Sequence, residues 1–214
     1  MRVLAVVAHP DDETLGCGGT LARFADEGHD VTALLAVRRC DPRGVANWST
    51  LVESFERACA LLGARAAVHD APLDETLAET HPHELHDRVA PWVARADLVL
   101  THWPGDVNQV HRGVARAVEI ATRPFRRRVS VSLFEVPSST DQAFGVPGAH
   151  AFVPNEFVLL RADHARRKCE AMALYATEQA PGRTAADVER RLRVRGAEVG
   201  AEFAEAFVVA RRFV

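Results

Sequence analysis

No stretch of this 214-residue sequence is apolar for long enough to cross a bilayer, which takes about 20 successive hydrophobic residues. The N-terminal apolar run, Val3 to Ala8, is too short for a span, and no signal-peptide cleavage pattern follows it. A spanning segment is thereby excluded and a cytoplasmic location is expected. Cysteine is scarce: Cys17, Cys40, Cys59 and Cys169 include no CxxC pair, so neither a zinc knuckle nor a dithiol redox motif is present. Scattered thiols of this kind suit reduced, core-filling side chains in a cytosol. A charge excess is also lacking. The formal net charge of -3 offers no electrostatic footing for nucleic acid or an acidic membrane surface. Two local basic runs, Arg126-Arg127-Arg128 and Arg166-Arg167-Lys168, read as solvated faces. Repeats, low-complexity tracts and linkers are absent, so residues 1–214 are expected to form one domain. A small molecule is the partner this leaves, and a homo-oligomer is compatible with the sequence.

What is present is an ordinary globular mixture, 48% hydrophobic and 26% charged, long enough to bury a core without disulfides. Val3 to Ala8 and Val31 to Val37 are valine-rich runs of the kind buried on both faces of a parallel sheet. Shorter strands are predicted at 67–69, 97–101, 129–134 and 157–160, and a final apolar segment at 206–214. Helices are predicted after the first strand with Gly28 as C-cap, over 49–62 ending at Gly63, and over 83–94, 110–121 and 163–175. A further helix is capped by Thr184 or Asp187. The stretches 38–47 and 135–150 read as irregular loops. Strands alternating with helices predict an α/β fold, an open, mostly parallel sheet covered by helices on both faces. Ligands of such sheets bind beyond the carboxyl ends of the strands.

Two polar clusters fall there. His9-Pro10-Asp11-Asp12-Glu13 follows the first strand directly. Acids at a buried strand end are costly unless something positive compensates, and a divalent metal is the simplest compensation. His9 and Asp12 offer one nitrogen and one oxygen, ligands zinc accepts, with Pro10 stiffening the turn. Asp11, pointing elsewhere, then stands where a general base is needed. The other reading is a plain Pro-Asp turn with Asp12 as N-cap. After the strand ending at Thr101 comes His102-Trp103-Pro104-Gly105-Asp106-Val107-Asn108-Gln109-Val110-His111-Arg112. His111 can supply a third ligand, completing the open three-ligand arrangement of catalytic zinc, although a lone histidine is more often a surface residue of a first helical turn.

Taken together, Ala8-His9-Pro10-Asp11-Asp12-Glu13 with Gly16-Cys17-Gly18-Gly19-Thr20 resembles the opening of the LmbE/PIG-L family of zinc-dependent N-acetylglucosaminyl deacetylases. Gly105 to Arg112 resembles the second motif of that family. Glu135 to Thr140, Phe152 to Phe157 and Ala204 to Phe207 also fit, so the likeness runs along nearly the whole chain. The resemblance implies a Rossmann-like fold and one zinc per chain held by His9, Asp12 and His111, with Asp11 as general base. It implies hydrolysis of an N-acetyl or similar N-acyl group on an amino sugar or its glycoside. Iron(II), cobalt or nickel suits the same ligand set. Three departures from the family pattern stand out. Asn108 replaces a histidine and is expected to donate a hydrogen bond to the oxyanion. Val110 replaces an aspartate that supports the metal site, a loss worth about 10–100-fold in affinity or activity. Leu51 and Ser54 stand where an arginine and a glutamate are usual, leaving Arg38 or Arg57 to contact the sugar. Trp48 and Trp103 are candidates to stack on a sugar face, Trp103 being the one assigned to substrate.

Rival readings are an amidase acting on a non-sugar N-acyl amine, and a protein that keeps the zinc cradle for binding after losing catalysis. A nucleotide-binding Rossmann protein fits less well, since acids follow the first strand where a phosphate needs glycine amides.

Overall fold

The computed structural model describes residues 1–125, 127–144 and 151–214. Arg126 of the first basic run and the last part of the expected loop, 145–150, lie outside the described residues. In chain order the elements are β1 (Arg2–Val7), α1 (Asp12–Asp26), β2 (Asp30–Arg38), α2 (Pro42–Leu61), β3 (Arg65–Asp74), α3 (Pro82–Val93), β4 (Leu98–His102) and α4 (Gln109–Ala121). Then follow β5 (Ser130–Phe134), α5 (Pro137–Thr140), β6 (Glu156–Leu160), α6 (Ala162–Ala173), α7 (Ala185–Ala197) and β7 (Phe203–Arg211). Short 3-10 turns cover Glu75–Leu77 and Ala176–Glu178.

One seven-stranded sheet has the order β3-β2-β1-β4-β5-β7-β6. The first five strands are parallel, and β7 runs antiparallel to both β5 and β6. The expected α/β architecture, mostly parallel and Rossmann-like, is therefore observed. After Arg2, strand β1 is apolar because alternate residues enter two cores. Val3, Ala5 and Val7 pack with α1, α2 and α6, whereas Leu4, Val6 and Ala8 pack with α3 and α4. The direction of strand succession reverses between β1 and β4, which are hydrogen-bonded neighbours. Such a switch point opens a crevice at the carboxyl ends of the two strands.

Three boundaries differ from expectation. Helix α2 starts at Pro42, well before Ser49, because proline at the first helical position loses no hydrogen bond. Strand β3 is ten residues long; its pairing with β2, not an apolar pattern of its own, carries it on to Asp74. The expected loop after β5 contains the single helical turn α5. Among the described residues no helix is long and apolar enough to cross a membrane.

Helix α1 is broken at Cys17 (φ -145, ψ 15). Backbone groups freed at the break are satisfied by a buried ion pair. Glu205 of β7 accepts the amides of Gly19 and Thr20 at 2.9 and 2.7 Å. Lys168 of α6 donates to the Leu15 carbonyl at 2.9 Å and to Glu205 at 2.6 Å. Gly16 lies against the Phe134 ring so closely that a Cβ would come within 2.3 Å of it.

Candidate active site

The chain leaves β1 through His9 and Pro10 and enters α1 at Asp12, with Asp11 in the N-cap position. Asp11 has φ 110 and ψ -24, and is the only non-glycine residue with positive φ among the described residues. Such a backbone costs on the order of 1–3 kcal/mol and persists where the surroundings over-determine it, typically at functional sites. Asp11 does not cap α1 with its side chain. Asp12 does not cap it either: its Oδ2 accepts the His9 amide at 2.7 Å, and its own amide closes the turn onto the His9 carbonyl at 3.3 Å.

His111, on the first turn of α4, comes to this point from the other side of the switch. His9 Nδ1 and His111 Nε2 are 3.2 Å apart, and they lie 3.5 and 3.4 Å from Asp12 Oδ2. Ligand bonds of zinc length in a tetrahedron put donor atoms about 3.3 Å from one another. The three donors thus already stand at the edge lengths of a tetrahedral site, and two nitrogens with one carboxylate oxygen are a donor set that zinc accepts.

Each imidazole is backed by a carboxylate on its far nitrogen. His9 Nε2 lies 3.0 Å from Glu75 Oε2, and Glu75 is fixed in turn by the Cys40 amide at 2.9 Å. His111 Nδ1 lies 3.3 Å from Asp106 Oδ2, which accepts the hydroxyls of Ser139 and Thr140 at 2.9 and 2.6 Å. A far nitrogen that donates to a carboxylate leaves the near lone pair facing the triangle. Val110 brings no carboxylate to His111; the one beside its Nδ1 comes from Asp106, in the loop before α4. Neither Glu75 nor Asp106 was singled out by sequence.

Charges follow from this packing. Burial opposes protonation of His111, but the Asp12 and Asp106 carboxylates push it up to about 9. Burial opposes protonation of His9 too, yet hydrogen bonds to Asp12 and Glu75 raise it. Burial would raise the Asp12 carboxyl, but the His111 and His102 imidazoles hold it well below the usual range. Asp11 is driven the other way, well above the usual range, by burial and then by the Asp12 charge, with Arg183 partly offsetting. Its Oδ2 has no hydrogen-bond partner; the nearest cation is Arg183 Nη1 at 3.6 Å. His102 stands outside this three-donor group. Its Nε2 accepts the Ala8 amide at 3.0 Å, and its ring stacks on His111 with centroids 4.1 Å apart.

The triangle opens on a cleft of about 320 Å³ lined by His9, Asp11, Asp12, Asn108 and His111, together with polar walls. Asn108 lines the cleft and caps α4, its Oδ1 accepting the Val110 amide at 2.9 Å. The walls are an arginine cluster on Glu178, a 2% exposed carboxylate. Glu178 Oε2 accepts Arg39 at 3.0 Å and Arg43 at 2.9 Å, with Arg183 at 3.9 Å. Arg38 and Trp103 are not among the lining residues. Arg38 lies over the Trp48 ring at 5.8 Å, and Trp103 meets Phe152 edge-on at 5.7 Å. Arg57 pairs loosely with Glu53 on the exposed face of α2. The early start of α2 brings Arg43 to the cleft, and no sequence pattern announces that.

Comparison with known proteins agrees with this picture. Residues 4–122 match the PIG-L family, described as GlcNAc-PI de-N-acetylase. A 1D-myo-inositol 2-acetamido-2-deoxy-alpha-D-glucopyranoside deacetylase of Kineococcus radiotolerans is 30% identical over 165 residues. That match covers 56% of this chain and 45% of the relative, so the chain spans about half the length of that relative. The solved A40926 pseudoaglycone deacetylase Dbv21 superposes with a TM-score of 0.75 at 17% identity, covering 100% of this chain and 98% of the other. GalB, a 4-carboxy-2-hydroxymuconate hydratase of Pseudomonas putida, superposes with a TM-score of 0.70 at 18% identity, covering 100% and 98%. These two likenesses carry the fold alone, and one fold serves both reactions. With the family match extending over more than half of its length, the chain belongs to the PIG-L, or GlcNAc-PI de-N-acetylase, family.

Proposed function

We propose that this protein is a metal-dependent hydrolase that removes an acetyl or similar small acyl group from the nitrogen of an amino sugar or its glycoside. The observation that carries the reading is the triangle of His9, Asp12 and His111 at tetrahedral spacing, with Asp11, whose Oδ2 has no hydrogen-bond partner, lining the same cleft. His9, Asp12 and His111 would hold one divalent ion per chain, zinc first among the candidates. Such an ion supplies Lewis-acid polarisation of the amide carbonyl and makes water nucleophilic near neutral pH.

The remaining chemistry belongs to the chain. Asp11 Oδ2 accepts a proton from the attacking water. The Asn108 amide donates a hydrogen bond to the oxygen that gains negative charge. Asp11 then returns the proton to the departing nitrogen, so that amide and water become amine and acid. Among the described residues Val110 is the single hydrophobic lining residue, which suits a small acyl group on a polar sugar. We place the substrate-contacting groups at Arg39, Arg43 and Asp41 on the cleft wall, rather than at Arg38 and Trp103. We take residues 1–214 as one domain in a reducing, cytoplasmic setting, a view supported by four free thiols.

The test is bound metal by elemental analysis together with amine release from N-acetylglucosamine-containing substrates. Asp11→Asn should keep its metal and lose about 10²–10⁴-fold in turnover. Full activity in that variant would remove Asp11 as base. A metal-loaded wild type without turnover on any N-acyl substrate would favour a binding protein instead.

A further inference from the structure

Aspartate is among the preferred N-cap residues, and its default there is to fold its carboxylate back onto the first amides of the helix. Asp11 stands at that position of α1 and makes no such bond. Its carboxylate is 2% exposed, lines the cleft and has an Oδ2 without a hydrogen-bond partner. The backbone explains why. An ordinary N-cap is extended, but Asp11 is left-handed, at φ 110. That strain needs an opposing hold.

The hold is a buried carboxylate. Glu13 is 0% exposed, and its Oε2 accepts the Asp11 amide at 3.2 Å. Its Oε1 accepts the Thr14 hydroxyl at 2.5 Å and the Tyr175 hydroxyl at 2.6 Å. In a capping box an acid reaches back to the N-cap amide while the N-cap side chain binds forward. Only the backward half is present here, and Glu13 is pinned from outside α1 by Tyr175, the sole tyrosine of the chain, which is itself 0% exposed. No cation pairs with Glu13 among the described ion pairs. A carboxylate buried without one is costly unless its hydrogen bonds are complete.

We infer that Glu13 and Tyr175 are positioning residues that hold the Asp11 backbone in its left-handed turn, so that the Asp11 carboxylate faces the cleft instead of capping α1. The effect on turnover rests on the deacetylase reading; the effect on the backbone does not.

The test has two arms. In the first, unfolding of the metal-free protein is followed for Glu13→Ala in the wild-type background and in Asp11→Gly. Glycine adopts positive φ without strain and needs no hold. The loss in melting temperature from Glu13→Ala should be at least halved in Asp11→Gly; an equal loss in both backgrounds overturns the inference whether or not the protein is a deacetylase. In the second arm, metal-loaded variants are assayed on an N-acetylglucosaminide. Glu13→Ala should lower kcat at least 30-fold with KM within twofold and metal stoichiometry kept. Glu13→Gln, which retains an acceptor for the Asp11 amide, should recover most of that loss. Tyr175→Phe should lower kcat in the same direction, and serves should Glu13→Ala not fold. Wild-type kcat in Tyr175→Phe, or Glu13→Gln as impaired as Glu13→Ala, overturns the inference. Should the metal-loaded wild type itself show no turnover, the deacetylase reading falls and the stability arm still decides.

Discussion

Metal uptake by this protein should expel a proton. His111 Nε2 is the nitrogen that faces Asp12 and His9, and a proton and a metal ion held by these three residues would compete for its one lone pair. The Asp12 and Asp106 carboxylates push His111 up to about 9. At pH 8 it is therefore protonated in about nine molecules in ten, against about one in thirty for a histidine titrating near 6.5. The sign follows directly: raising the pH removes the competitor, so affinity rises with pH. Mass action gives an apparent dissociation constant that tightens about tenfold between pH 7 and pH 8, and His9, also raised, adds to the slope. Titration calorimetry in two buffers of different ionisation heat counts the protons released, and competition against a chelator across pH 6.5–9 gives the slope. At least about 0.9 proton per metal is expected at pH 8. An affinity that stays flat between pH 7 and 8, with no proton released, would refute the view that both carboxylates bear on His111.

Two further perturbations probe the frame of the site. Asp106→Ala strips His111 Nδ1 of its partner and leaves the Ser139 and Thr140 hydroxyls without their acceptor. Metal affinity should fall about 10–100-fold and proton release at pH 8 should shrink; unchanged chelator competition would dismiss Asp106 as a support. Lys168→Met leaves the Glu205 carboxylate, 3% exposed, without its cation. Denaturant unfolding should show a loss of about 3–5 kcal/mol, and a variant as stable as wild type would mean that the amides of Gly19 and Thr20 alone sustain the buried charge.

Fold class was legible because it rests on patterns within short windows. Strands β1 and β2 are buried on both faces and read as apolar runs, and Gly28 and Gly63 mark the ends of α1 and α2 through positive φ. The start of α2 was not legible. Residues 39–47 lack an apolar stripe, and what settles their conformation is contact, Arg39 and Arg43 reaching Glu178 more than 130 residues away. The length of β3 was hidden for a similar reason, since its second half is a strand by pairing with Val37 and Arg38.

In the site, residue types and local spacing pointed to His9, Asp11, Asp12 and His111 with a plain turn and a surface histidine left open, and the family resemblance added Asn108 and the roles. A histidine and two acids at a buried strand end call for a positive partner wherever the rest of the chain lies. Which groups stand behind them was not available from any window. His9 and His111 are 102 residues apart and meet because β1 and β4 are neighbours at the reversal of strand order. Glu75, Asp106, Glu178 and Arg183 belong to loops and 3-10 turns without periodicity, and become partners only once the sheet brings those loops together. The same limit applies at Arg38: adjacent residues on an extended strand end point to opposite sides, so Arg38 lies over Trp48 and Arg39 lines the cleft. Local chemistry names candidate donors, but their spacing, their protonation and the walls of the cleft are properties of long-range packing, and these only the folded chain possesses.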